Sequence, residues 1–185
     1  DENLEPIDVA GCPPDAFSAD GQLWGNPLFR WDVMREDGYS WWTMRLRKMS
    51  TLYDVIRIDH FRGFDSYYAI PGKDTTARNG VWRNGPGMEL FRAVEEKLGK
   101  LDIIVEDLGF LTPSVLQLVA DSGYPGMKVV QFAFDSRDDS DYMPHNYDKH
   151  CVVYTGTHDN DTILGWMKQA PKNSVKKAKE YWNKR

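Results

Sequence analysis

The sequence predicts an α/β fold, about four consecutive βα units forming part of a (β/α)8 TIM barrel with long loops at one face. Three observations predict it. Short apolar, β-branched runs alternate with amphipathic stretches from residue 40 onwards, the pattern of parallel strands joined by right-handed crossovers. Three of these runs lead into acidic clusters holding Asp59, Glu106 and Asp159, and acids at the C-terminal ends of successive parallel strands converge on one mouth of a barrel. Finally, the chain has 185 residues, too few for a closed barrel of about 250. It therefore reads as a piece of a longer protein, beginning within a loop and ending in a charged helix.

The elements follow in order. Residues 1–38 are loop-rich, because Pro13-Pro14-Asp15 and Trp24-Gly25-Asn26-Pro27 interrupt regular structure. Phe17, Trp24, Phe29 and Trp31 are too many aromatics for a solvated linker, so this segment must pack against something. Ser40 is placed to cap a helix running to about Leu52, with Trp41, Met44, Leu46 and Met49 among its apolar positions. Val55–Ile58 reads as a buried strand. Phe61–Ile70 is aromatic, and Pro71–Gly87 is a long Gly- and Asn-containing loop. Met88–Leu98 puts Leu90, Phe91, Val94 and Leu98 on one helical face, and Asp102–Val105 is the next strand. Thr112 followed by Pro113 opens a helix that Gly123 ends. Met127–Phe134 reads as a third strand, 135–149 as a polar loop and Cys151–Tyr154 as a fourth strand. Two helices, Asp161–Gln169 and Ser174–Lys184, are separated at Pro171.

Composition narrows the classes of partner. A net charge of −5 argues against nucleic acid. No apolar run approaches the roughly 18 residues of a membrane span. Cys12 and Cys151 are far apart and match no metal or redox spacing. They read as free thiols in a reducing compartment. The expected location is the cytoplasm, or a plastid in a plant or alga. With 7 Trp, 9 Tyr and 8 Phe, much of the aromatic content is core, and the remainder is available to stack on sugar rings.

The acidic clusters carry the chemistry. Arg57 lies two positions before Asp59 and so on the same face of its strand. An arginine beside an aspartate favours the charged carboxylate, the state a nucleophile needs. A structural Arg–Asp pair fits the same pattern. Glu106 follows Ile-Ile-Val, with Asp107 pointing the other way; it suits a general acid, or equally a Glu paired with a neighbouring base. In Thr157-His158-Asp159-Asn160-Asp161-Thr162, His158 and Asp159 suit sugar hydroxyls, while Asn160 or Asp161 would cap the next helix. His60, His158, Asp59 and Asp159 match no familiar metal spacing, so a metal site ranks below the sugar reading. The interval from Asp59 to Glu106 fits one βα unit and that from Glu106 to Asp159 fits two. This places the acids on strands n, n+1 and n+3. Two carboxyl groups flanking a bond are the minimum equipment for cleaving a glycosidic link.

The three motifs, in this order, resemble the nucleophile, acid/base and transition-state-stabilising acids of the α-amylase clan. Val9-Ala10-Gly11-Cys12-Pro13-Pro14-Asp15-Ala16-Phe17-Ser18, then Gly21-Gln22-Leu23-Trp24-Gly25-Asn26-Pro27-Leu28-Phe29, is similar to the hallmark of the 4-α-glucanotransferases, the amylomaltase or disproportionating-enzyme family. Asn79-Gly80-Val81-Trp82 with Gly85-Pro86-Gly87 also fits. The resemblance implies a retaining transfer of an α-1,4-glucan segment to the 4-hydroxyl of another glucan. Asp59 would be the nucleophile, Glu106 the acid/base and Asp159 the group holding the distorted sugar. It also implies that Arg57 orients Asp59, that His60, His158 and Asn160 meet the sugar, and that Phe17 and Trp24 stack on it. Ala16 stands where some members carry Tyr. No metal or organic cofactor is expected. The expected partners are maltooligosaccharides, amylose and the remainder of the barrel. Residues 1–185 would be a partial catalytic barrel domain, with 1–38 as its aromatic substrate loop region and 39–185 as the βα units carrying the acids. The competing readings are an α-glucan hydrolase of the same clan and a non-catalytic glucan-binding fragment.

Overall fold

The computed structural model describes residues 2–15, 18–109, 111–134 and 142–183. Its strands are β1 (Asp8–Cys12), β2 (Gln22–Pro27), β3 (Ile56–Ile58), β4 (Ser66–Pro71), β5 (Val81–Asn84), β6 (Ile103–Val105), β7 (Gly126–Val129) and β8 (Cys151–Tyr154). Its helices are α1 (Trp31–Glu36), α2 (Ser40–Ser50), α3 (Met88–Leu98), α4 (Pro113–Ser122), α5 (Ile163–Gln169) and α6 (Lys172–Asn183).

Strands β3, β6, β7 and β8 form the expected parallel series. β3 pairs with β6 in parallel, Ile58 opposite Val105, and β7 pairs with β8 in parallel, Val129 opposite Tyr154. Between β6 and β7 there is no ladder. The Val105 N–H donates to Pro125 O at 3.0 Å, and the Met127 N–H donates to the Asp107 carboxylate at 2.8 Å. The arc is thus two ladders joined by a seam.

The main core lies between β3, β6 and the helices. Tyr39, Trp42 and Leu46 of the α2 region meet Leu90, Phe91 and Val94 of α3, over Ile56, Ile58, Ile103 and Val105. The i, i+3, i+7 spacing of Tyr39, Trp42 and Leu46 makes one helical stripe. The apolar face of α2 therefore differs from the expected one, since Trp41 and Met44 are exposed. Nor is Ser40 the cap. The Asp37 carboxylate accepts the Ser40 N–H at 3.1 Å. In α4, the Thr112 hydroxyl accepts the Val115 N–H and Gly123 ends the helix at φ +64°, where the absence of a Cβ removes the steric cost.

The largest departure from the sequence reading is a second sheet. β2, β1, β4 and β5 form a four-stranded antiparallel sheet in that order. Residues 1–38 therefore hold two strands and a short helix, and the segment read as a loop after Ile70 folds back as the β4–β5 hairpin. The register runs through Tyr68 opposite Trp82 and Gly11 opposite both Leu23 and Tyr68. Gly11 has no space for a Cβ, which would meet Gln22 O and the Ile70 side chain. Glycines and prolines here mark tight strand approach and turns rather than absence of structure. The third predicted strand also shortens. β7 ends at Val129, and Val130–Phe134 is a 3-10 turn. Among the described residues no helix is long and apolar enough to cross a membrane.

Candidate active site

Asp59 and Glu106 each stand one residue beyond the β3–β6 ladder, and so side by side at the C-terminal end of the arc. The backbone holds them there. The Glu106 N–H donates to Ile58 O at 2.9 Å, and the Phe61 N–H returns to Glu106 O at 3.0 Å. Arg57 Nη2 lies 2.8 Å from Asp59 Oδ1, the Arg partly buried and the Asp side chain 68% exposed. The arginine thus holds the carboxylate from within and leaves it open to the cleft.

The Glu106 carboxylate is fixed by two backbone donors. The His60 N–H reaches Oε2 at 2.7 Å, and the Leu108 N–H reaches Oε1 at 2.9 Å. The first bond depends on an uncommon backbone. His60 is left-handed at φ +49°, ψ +52°, a costly conformation for a side chain of this size. It turns the amide following Asp59 towards Glu106, so one peptide couples the two acids.

Burial pushes the His60 imidazole down from about 6.5, and the Arg62 guanidinium adds to the shift. The folded ring therefore resists a proton that the unfolded chain accepts. Stability from this group is complete above about pH 6.5 and is lost as pH falls through the lower folded value. Thermal unfolding midpoints should drop between pH 7 and pH 5, and His60→Gln should flatten part of that drop. An identical drop in the variant would remove His60 as the cause.

A cleft of about 610 Å³ runs along β3 to Asp59, lined by Trp24, Asn26, Phe29, Arg57, Asp59, His60 and Tyr67 among others; Glu106 is not in its lining. Trp24 projects from β2, meeting the His60 ring edge-on with centroids 4.9 Å apart. The antiparallel sheet is therefore the aromatic wall of the cleft. Arg62 lies over the Trp82 ring at 4.3 Å, tying the turn after Asp59 to the β4–β5 hairpin.

The third cluster sits beyond β8. His158 and Asp159 are 71% and 75% exposed and 3.4 Å apart; neither lines the cleft above Asp59. Asn160 Oδ1 accepts the Thr157 N–H at 2.9 Å and its hydroxyl at 3.0 Å, so Asn160 shapes this turn. The helix cap is neither Asn160 nor Asp161. Thr162 accepts the Gly165 N–H at 3.1 Å, while Asp161 accepts Gln169 Nε2 at 2.9 Å. Phe17 and Ala16 lie outside the described residues.

Two contributors went unread in the sequence. Tyr67, in the cleft wall, was hidden because its strand was unrecognised. Gln131, buried and donating from Nε2 to Asp161 O at 2.7 Å, was signalled only as a polar residue in an apolar run. Among the described residues no group of three His, Cys, Asp or Glu side chains is arranged to hold a metal. Cys12 and Cys151 are both free, and burial pushes both thiols up.

Comparison with known proteins bears on the family and the fold. The model of the 4-alpha-glucanotransferase family matches residues 2–185. The chain is 50% identical over 182 residues to a 4-alpha-glucanotransferase of Clostridium butyricum, covering 98% of this chain and 37% of that protein. It is 52% identical over 172 residues to one from Thermus thermophilus, covering 92% and 34%. The solved amylomaltase from Streptococcus agalactiae in complex with acarbose superposes with a TM-score of 0.92 at 43% identity, over 98% of this chain and 37% of that one. The amylomaltase from Corynebacterium glutamicum shares the fold, with a TM-score of 0.77 at 22% identity over 96% and 28%. The chain spans about a third of the length of the relatives it matches. Its four parallel strands are one arc of a (β/α)8 barrel, and the chain belongs to the 4-alpha-glucanotransferase family.

Proposed function

We propose that this chain carries the catalytic acids of a 4-alpha-glucanotransferase, which moves a segment of an α-1,4-glucan to the 4-hydroxyl of another glucan or of glucose. The observation that carries the reading is the Asp59–Glu106 pair at the ends of two paired strands, coupled through the His60 amide. Asp59 attacks the anomeric carbon while Glu106 protonates the departing glycosidic oxygen, giving a covalent glycosyl-enzyme and a free chain end. Glu106 then takes the proton of the incoming 4-hydroxyl, whose oxygen displaces Asp59. Two inversions restore the α configuration, and one difficult substitution becomes two easier ones.

Arg57 orients the nucleophile. Asp159 and His158 grip the ring as it flattens, and Asn160 shapes the turn that presents them. Trp24 offers its ring as a stacking platform, and Phe17 belongs to the same aromatic segment. The 1–38 segment supplies this wall and 39–185 the acids, with the rest of the barrel completing the domain. The acarbose bound by the Streptococcus agalactiae relative supports an α-glucan as the ligand. The setting is the cytoplasm, or a plastid in plants, in keeping with the chloroplastic/amyloplastic Solanum tuberosum relative.

Incubation with maltotriose, using both this chain and the full-length enzyme that carries it, tests the proposal. Glucose with maltopentaose and longer products is expected from the full-length enzyme. Glucose and maltose alone would replace transfer with hydrolysis. Bound but unaltered maltotriose would leave a glucan-binding protein.

A further inference from the structure

Of the four parallel strands, β7 is the one that carries none of Asp59, Glu106 and Asp159, nor does β6 pair with it. Two buried polar side chains nevertheless act there. Asp107 is 9% exposed and Gln131 6%. Asp107 points away from Glu106, and its Oδ1 accepts the Met127 N–H at 2.8 Å. The neighbouring Gly126 has no room for a Cβ, which would strike the Asp107 carboxylate. Asp107 thus closes the β6–β7 seam immediately behind Glu106.

Gln131 acts on the other side. Its N–H donates to Thr155 O at 3.3 Å, and its side-chain Nε2 donates to Asp161 O at 2.7 Å. Gly156 packs directly on its amide. One residue therefore pins both ends of the Thr155–Asp161 loop that presents His158 and Asp159. Within that loop the Thr157 hydroxyl accepts the Asp159 N–H at 3.3 Å and Asn160 braces Thr157, while Gln169 donates to the Asp161 carboxylate at its far end. A buried hydrogen bond broken on one side leaves an unsatisfied partner, and here that partner belongs to the loop of a catalytic acid.

We propose that Asp107 and Gln131 are positioning residues, through which β7 sets the places of Glu106 and Asp159. This rests on the transferase reading above. A displacement of about 1 Å at a reacting group costs on the order of 10²-fold in rate. The test is maltotriose transfer by the full-length enzyme. Gln131→Met keeps the side-chain length and removes the donor. It should lower kcat about 100-fold with KM within about threefold and both limbs of the pH profile in place. Asp107→Ala should lower kcat and also displace the alkaline limb, which reports the acid/base group. Asp107→Asn, which keeps the acceptor oxygen, should restore most of the rate.

Wild-type kcat in folded Gln131→Met and Asp107→Ala would overturn the proposal. So would losses that merely track the unfolded fraction in both variants, with the Asp107→Ala profile unchanged. If Asp107→Ala does not fold, Gln131→Met decides alone. An inactive wild-type enzyme would refute the transferase reading instead, so the two failures are distinguishable.

Discussion

Asp59→Asn, in the full-length enzyme, is expected to bind maltotriose and leave it intact. The amide keeps the shape of the carboxylate and an oxygen for Arg57 Nη2, which lies 2.8 Å from Asp59 Oδ1. It loses the negative charge and the nucleophilic lone pair. Removing a covalent nucleophile from a preorganised site typically costs about 10⁴-fold or more in kcat, equivalent to about 5.5 kcal/mol of barrier. Binding should change far less, because the Trp24 wall and the His158 loop remain. Calorimetric titration with maltotriose alongside product analysis separates the two effects. Turnover within about tenfold of wild type would mean that another group attacks.

Phe61→Ala should produce the largest loss of stability. Phe61 is fully buried, with ring centroids 5.6 Å from Phe64 and 5.2 Å from Phe91. Truncating such a ring costs about 3–5 kcal/mol, lost transfer energy plus the cavity. Total stability of a domain is about 5–15 kcal/mol, so this one change consumes a large share. The damage also reaches the chemistry, since the Phe61 N–H bonds Glu106 O. Urea denaturation of the variant should show a lower midpoint with an unchanged slope. Phe29→Ala, at a partly exposed ring of the cleft wall, should cost much less. Equal losses would mean that the Phe61 ring is not the keystone of this core.

The acids were legible because their signals are local. Asp59 and Glu106 each follow a short apolar strand whose periodicity ends at the acid. Thr112-Pro113 and Gly123 mark α4 by the chemistry of single turns. The antiparallel sheet was not legible, because what holds it is remote. Gly11 reads as a breaker until Gln22 and Ile70 close on it. Val81–Asn84 is exposed at all four positions, so no alternation of apolar and polar residues announces a strand. Its pairing with β4 rests on the backbone ladder and on the Trp82 ring meeting Tyr68 across the strands, with centroids 5.3 Å apart. The distribution of work around Asp161 was ambiguous for a similar reason. Asn, Asp and Thr all make good caps, and only the three-dimensional turn assigns the cap to Thr162 and the brace to Asn160.

The missing β6–β7 ladder divides the arc mechanically. Asp59 and Glu106 ride on one pair of strands, Asp159 on the other. A shear along the seam alters the distance from Asp159 to the other two acids and leaves their mutual spacing fixed. On the roles proposed above, such a shear would change the hold of Asp159 on the sugar while Asp59 and Glu106 stay in register on their shared ladder.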